Sequence, residues 1–310
     1  MKKLAQHVCS TYNINMQTTP RQFYIGCPIW SYKEWAGSFF PARTPPGDFL
    51  RIYSHKLTTV EGNTTFYAVP NAETLARWRS ETPPNFRFCP KIPRDISHSP
   101  ALEATRTATL AFVERMRGLG ERLGPMFLQL PPAFGPAQFK QLETWLSFWP
   151  AEVRLAVEVR HPAFFETEQA ATLNALLNQQ RAARVIMDTR PIRVGPADEQ
   201  GLLQARERKP DLPVYPAITT DFAFLRYIGH MNSEINAPFL DTWAARLAQW
   251  LERGVALYIF CHCPFELHSP DICYELYQRL SRLTTLPKLP WELAQDKEGP
   301  EETFEQGTLF

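Results

Sequence analysis

At 310 residues the chain is long enough for one large barrel or two ordinary domains, and no apolar run reaches membrane-spanning length. A formal net charge of +1 excludes a sequence-independent grip on nucleic acid through bulk charge and leaves room only for a local basic cleft. Six cysteines (Cys9, Cys27, Cys89, Cys261, Cys263, Cys273) lack a disulfide-framework spacing, and the first ten residues lack a signal-peptide stretch, so a reducing, cytoplasmic location is expected, with no membrane partner.

Residues 1–21 show no period and are expected to form a loose extension; a single domain is expected over 22–285. Phe23 to Cys27 reads as a first strand, and the turn behind it, GCPIWSYKEW, brings Trp30, Tyr32 and Trp35 close together, as ligand platforms or as packing under the loop. Asp48 to Lys56 reads as a helix that Asp48 is placed to cap. LTTVEGNTTFYAVP is a second strand that ends in Glu61 and Asn63 and runs into Thr64, Thr65 and Tyr67. Asn71 caps the next helix, where Leu75 and Trp78 are spaced for one buried side. FRFCPKIPRDISH is a third strand with Lys91 just past its end, a position that a solvated loop lysine would also occupy.

Ala101 to Arg117 is helical by period, MFLQLPP is a fourth strand with Gln129 at its end, and Ala137 to Trp149 is the helix behind it. The fifth strand opens LAVEVRHPAFF, in which Glu158 and Arg160 share one face, one pleat apart, and His161 follows. Burying an ion pair is costly, so a strand that needed only burial is better served by another valine; two opposite charges there point to a site. Thr167 to Gln180 is helical, and ARVIMD is a sixth strand ending in Asp188, with Arg190 just beyond. Thr189 to Thr219 carries seven prolines or glycines and one short helical stretch near Leu202 to Arg208, which suits a functional lid or a disordered loop. DFAFLRYI, with Arg226, is a seventh strand, Leu240 to Leu251 an amphipathic helix, Ala256 to Phe260 an eighth strand and Asp271 to about Leu280 a last helix.

Eight strand-then-helix units in about 260 residues match a (β/α)8 TIM barrel; neither G-x-G-x-x-G nor a Walker A motif is present to favour a doubly wound sheet. In such a barrel Glu61, Lys91, Gln129, Glu158, Arg160, Asp188 and Arg226 are predicted to converge on the mouth at the carboxyl ends of the strands.

GCPIWSYKEW, VEGNTTFYAVP, FRFCPKIPRDISH, LGPMFLQLPP, VEVRHPAFF and the strand ending in Asp188 resemble, in order, the motifs of the YecE-like family, domain of unknown function 72, over about Phe23 to Leu280. The resemblance implies a TIM barrel and a site at Glu61, Asn63, Lys91, Gln129, Glu158, Arg160, His161 and Asp188, but no reaction. Two positions depart from it. Where many members have Arg-x-His-Gly this chain has Arg226-Tyr227-Ile228-Gly229 with His230 one place later, and where many have Phe-Asn-Asn it has Phe260-Cys261-His262.

Carboxylates beside lysine and arginine push pKa values apart, which separates acid from base roles in one pocket. Acid/base chemistry of the hydrolase or lyase type on a small anionic or sugar-phosphate substrate is therefore expected, with a nucleic-acid phosphodiester as the bolder variant. Glu61, Lys91, Glu158, Arg160 and Asp188 are the catalytic candidates; Trp30, Tyr32, Asn63, Thr65, Tyr67, Gln129, His161, Arg190 and Arg226 are the substrate contacts. The alternative is a barrel that binds a ligand or partner without turnover. No cofactor is expected, and a divalent metal has only scattered histidines (His161, His230, His262, His268) in its favour. Residues 286–310 read as an acidic, flexible tail. Its ending, Gln306-Gly307-Thr308-Leu309-Phe310, resembles the short motif by which bacterial proteins dock on the replication sliding clamp, with Gln306, Leu309 and Phe310 as the contacts.

Overall fold

The computed structural model describes residues 21–196 and 200–295. Eight parallel strands, β1 (Phe23–Cys27), β2 (Thr59–Gly62), β3 (Arg87–Pro90), β4 (Met126–Gln129), β5 (Leu155–Glu158), β6 (Ala183–Asp188), β7 (Phe222–Ile228) and β8 (Ala256–His262), pair in the order β3-β2-β1-β8-β7-β6-β5-β4. The ends of that order meet: Gly124 N donates to Phe88 O at 2.7 Å and Ile92 N to Phe127 O at 2.9 Å, which closes the sheet. Helical chain follows each strand: α1 (Phe49–Ser54), α2 (Ala72–Ser80), α3 (Arg94–Ser97) and α4 (Arg106–Met116), α5 (Phe139–Ser147), α6 (Thr167–Gln179), α7 (Gln200–Arg208), α8 (Ser233–Glu252), then α9 (Ser269–Ser281) and α10 (Pro290–Gln295). This is a (β/α)8 TIM barrel. None of the described helices is long and apolar enough to cross a membrane.

The period of two along each strand divides the side chains between two cores. Phe127, Phe222, Phe224, Tyr258 and Phe260 point inward and plug the barrel, with ring centroids 5.3 Å apart for Phe127 and Phe224 and 4.8 Å for Phe224 and Phe260. Their neighbours in sequence point outward beneath the helices, where Trp145 and Trp243 are among the large buried side chains. The interior is thus a packed floor, and everything polar at its inward positions is pushed to the open end.

Gly26 is required where β1 meets β2. A Cβ there would lie 1.8 Å from the Thr59 carbonyl oxygen. The space is taken by the Tyr53 hydroxyl, which accepts from Cys27 N at 2.6 Å and donates to Thr59 O at 2.9 Å, tying α1 to both strands. Gly26→Ala is expected to cost about 1–3 kcal/mol by overpacking, read as a lower urea midpoint with unchanged slope.

Two local expectations change. Asn71 caps α2 as read, accepting from Thr74 N at 2.8 Å, whereas Asp48 makes no cap: its carboxylate takes Arg51 at 3.0 Å instead, an i,i+3 pair along the same turn. And where a flexible tail was expected from residue 286, Leu289 is buried and Trp291 of α10 packs on Phe39 and Tyr274, with the Lys56 ammonium 4.9 Å from its ring. Spaced tryptophan and leucine after a proline are enough to hold that turn on the barrel. The expected N-terminal extension lies, but for Arg21, outside the described residues.

Candidate functional site

At the carboxyl end of β7, Arg226 stands in the middle of the barrel above the aromatic floor, its guanidinium carbon 5.6 Å from the Phe127 ring. Nε and Nη2 donate to the two oxygens of Glu61 on β2 at 2.8 and 2.7 Å, and Nη1 donates to Glu158 Oε2 on β5 at 2.5 Å. All three side chains are buried. Burial alone would raise the pKa of Glu158, but Arg226, Arg160 and Lys91 hold it at about 2. Glu61 is likewise held well below the usual carboxylate range against its burial, by Arg226 and His262. The same two carboxylates raise the pKa of Arg226 against its desolvation. The centre of the barrel is therefore a fixed carboxylate–guanidinium–carboxylate bridge.

Around it the network runs outward. Arg160, past the end of β5, gives Nε to Glu158 Oε1 at 2.6 Å and Nη2 to Gln129 Oε1 at 2.9 Å. Lys91, past β3, donates to the same Gln129 oxygen at 2.9 Å and lies 4.1 Å from the Phe66 ring centroid. One neutral oxygen is thus shared by two cations. Burial, with Arg226 adding, lowers the pKa of Lys91 to about 8. Thr65 accounts for the position of Lys91: its hydroxyl is within hydrogen-bond reach of the Lys91 carbonyl, 2.6 Å, and of Gly62 O, 2.8 Å. Asn63 donates to Glu61 Oε1 at 2.7 Å and to Pro28 O at 3.1 Å, fixing the outer side of that carboxylate.

The mouth is a cavity of about 590 Å³. Its cationic lining is Lys91, Arg94, Arg160, Arg208, Lys209 and Arg226, and its one carboxylate among the described residues is Glu266. Glu61 and Glu158 lie beneath, covered by the arginines they bind. On the rim Tyr67 and Phe265 are 81% and 56% exposed. Phe265 and Glu266 are consecutive left-handed residues, φ 63° and 58°, a backbone strain that non-glycine residues adopt only where the surroundings enforce it. The enforcement is visible: Glu266 accepts from Ser269 Oγ at 2.6 Å, and Trp35 Nε1 donates to Glu266 O at 3.0 Å. The Phe265 ring lies so close to Gly201 of α7 that a Cβ there would come within 2.1 Å of it.

Of the residues expected at the mouth, the structure brings together Glu61, Asn63, Tyr67, Lys91, Gln129, Glu158, Arg160 and Arg226, with Thr65 supporting from behind. The others lie elsewhere. Asp188 is 0% exposed and faces out of the barrel, because Ala183 and Val185 take the inward phase of β6; it accepts from Trp243 Nε1 at 2.8 Å and from Arg190 Nη2 at 2.7 Å. Asp188 and Arg190 are thus a strand-to-helix tie under α8. Trp30 packs edge-on against Trp78 and Phe88, and Tyr32 against Trp35, beneath the first loop. His161 caps the turn after β5, accepting from Ala163 N at 3.2 Å, with Gly135 against its ring. Gln306, Leu309 and Phe310 lie outside the described residues.

Residues outside the expected catalytic and substrate-contact sets also contribute, one of them, His262, weighed from sequence only as a metal ligand. His262, on the inward phase of β8, has Nε2 3.1 Å from Glu61 Oε2 and Nδ1 3.7 Å from Glu266 Oε1. Its alternation with the outward Cys261 and Cys263 was the available signal. Arg208 and Lys209 come from the segment after β6, whose α7 lies across the mouth. Among the described residues no three His, Cys, Asp or Glu side chains are placed to share a metal ion.

Fold and site define a (β/α)8 barrel protein whose cation-lined mouth sits above a buried Glu61–Arg226–Glu158 bridge. By sequence the chain belongs to the family described as protein of unknown function DUF72, whose model matches residues 24–294. It is 36% identical over 267 residues to the UPF0759 protein YecE of Escherichia coli K12, covering 86% of this chain and 94% of that one. YecE of Escherichia coli O157:H7 is similar to the same extent, 36% over 267 residues. Among solved structures, a DUF72 family protein of Thermotoga maritima superposes with a TM-score of 0.61 at 20% identity, over 84% of this chain and 98% of that one. One of Enterococcus faecalis does so with a TM-score of 0.60 at 18% identity, over 86% and 96%. These two likenesses establish the fold.

Proposed function

We propose that the mouth binds an anionic substrate bearing a phosphate or carboxylate and that Lys91 handles a proton there, in chemistry of the hydrolase or lyase type. The observation that supports this best is the sharing of Gln129 Oε1 by Lys91 and Arg160. A neutral acceptor gives neither cation a counter-charge; Arg160 finds one in Glu158, whereas Lys91 touches no carboxylate among the described residues, and an anion entering the cavity would complete it. Glu61 and Glu158, ionised and held low by Arg226, are weak bases; Lys91, at about 8, is the group whose proton moves near neutral pH. The carboxylates are assigned instead to holding Arg226 and Arg160 in place.

The test is a thermal-shift titration with inorganic phosphate, glycerol phosphate and succinate, on wild type and Arg160→Ala. Glu158 keeps Arg226 in that variant, so the fold survives. At least one anion is expected to raise the wild-type melting temperature, and Arg160→Ala to weaken its binding about ten- to a hundredfold, the worth of a charge-assisted hydrogen bond. If no anion stabilises the wild type, the mouth does not bind one.

A further inference from the structure

We propose that the ligand of this mouth is a dianion, a phosphate monoester in class, and that Lys209 reads its second charge. The proposal rests on anion binding at the mouth and narrows it.

The charges beneath the cavity cancel among themselves: two carboxylates, Glu61 and Glu158, bind two guanidiniums, Arg226 and Arg160. Four cations of the lining stand outside that balance; Arg94 and Arg208 are exposed to solvent, which leaves two ammonium groups, those of Lys91 and Lys209, withdrawn from it. Lys91 hydrogen-bonds only the neutral Gln129 oxygen. Lys209 is partly buried, lines the same cavity, and its ammonium makes no hydrogen bond or ion pair among the described residues. Glu266, the one carboxylate of the lining among the described residues, already accepts from Ser269 Oγ and Cys263 N. Burial lowers the pKa of Lys209, with Arg226 adding to it and Glu266 opposing, as for a cation enclosed without a matching anion in contact.

The backbone that carries Lys209 is also held in place. It follows α7, and Arg193 donates to the carbonyls of Arg206 and Lys209 at 3.2 and 2.7 Å, while Thr189 Oγ1 donates to Pro210 O at 3.0 Å. A surface lysine needs no such support. A lysine on an anchored stretch of backbone, lining the same cavity as Lys91, suits a ligand with a charge for each; a phosphodiester carries one negative charge, a monoester close to two at pH 7.5.

Binding of methyl phosphate and dimethyl phosphate at pH 7.5 separates the cases, measured by calorimetry on wild type, Lys209→Met and Lys209→Arg. Wild type is expected to prefer methyl phosphate about tenfold or more, Lys209→Met to lose the preference with dimethyl phosphate binding little changed, and Lys209→Arg to recover it. Equal binding of the two esters by wild type overturns the dianion assignment and leaves anion binding standing. A preference that persists in folded Lys209→Met overturns the role of Lys209. Binding of neither ester overturns this proposal; stabilisation by phosphate or succinate in the previous experiment then tells whether anion binding at the mouth falls with it.

Discussion

Replacing Arg226 by Met is expected to lower the unfolding free energy by about 3–5 kcal/mol, the cost of breaking a buried ion pair from one side. The guanidinium makes three charge-assisted bonds to Glu61 and Glu158, and the variant leaves two buried carboxylates facing one another over an apolar floor of Phe127, Phe224 and Phe260. Glu158 retains Arg160, but Glu61 retains only Asn63 and His262, so Glu61 carries most of the loss. For a domain of this size the shift is roughly 6–20 °C in melting temperature. It is expected to shrink toward acid pH, where the unpaired buried carboxylates of the variant take up protons while those of the wild type stay ionised. The double variant Glu61→Leu/Arg226→Met should recover part of the stability, since removing both partners avoids the unpaired charge. A melting temperature for Arg226→Met within a degree or two of wild type would show that the bridge is not the anchor of the barrel's open end.

Anion affinity is expected to fall as pH rises through about 8, where free Lys91 loses its proton, and to be flat below that as far as Lys91 is concerned. The groups that set this midpoint, after burial, are Arg226 and Arg160 pushing it down and Glu158 and Glu61 pushing it up. Lys91→Met is expected to weaken sulfate or phosphate binding at pH 7 about ten- to a hundredfold and to abolish the step near pH 8. Sulfate is the cleaner probe because its own charge does not change over this range. The sign for folding is opposite. The unfolded lysine keeps its proton to about 10.5 and the folded one only to about 8, so between those values the unfolded state binds more protons and ligand-free stability gains from Lys91 as pH rises. A binding curve for the wild type without a step between pH 7 and 9 would remove Lys91 from proton handling.

The barrel was legible because its determinants are local. Eight alternating apolar runs, each closed by glycine, proline or a cap such as Asn71, specify strands and helices without reference to partners, and parallel strands joined by helices close in few ways. For the same reason Glu158 and Arg160, two residues apart at the end of β5, could be placed on a common face, and Glu61, Lys91 and Arg226 at strand ends could be sent to a common mouth. Phase decided the failures. Whether a strand's last residue points into the barrel depends on which of its two sets of side chains the sheet's closure turns inward; in β6 one set is Ala183, Val185 and Met187 and the other Arg184, Ile186 and Asp188, and only the closed sheet decided that the second faces outward, with Asp188 toward Trp243. Trp30 is drawn away differently, by a loop that folds back on Trp78 of α2 and Phe88 of β3, contacts made across a long stretch of chain, whereas Tyr32 and His161 are turned aside within their own turns, by Trp35 and by Ala163 N.

By itself, then, the sequence determined the elements, their order, the parallel barrel and the charged residues carried to its open end, because each of these follows from periodicity and residue type within a few positions. Only the tertiary structure decided that Arg226 binds Glu61 and Glu158, that His262 joins them from β8, and that Lys209, just after α7, lines the cavity. Those pairings join residues far apart in the chain, and their charges take on meaning only once burial has removed the water between them.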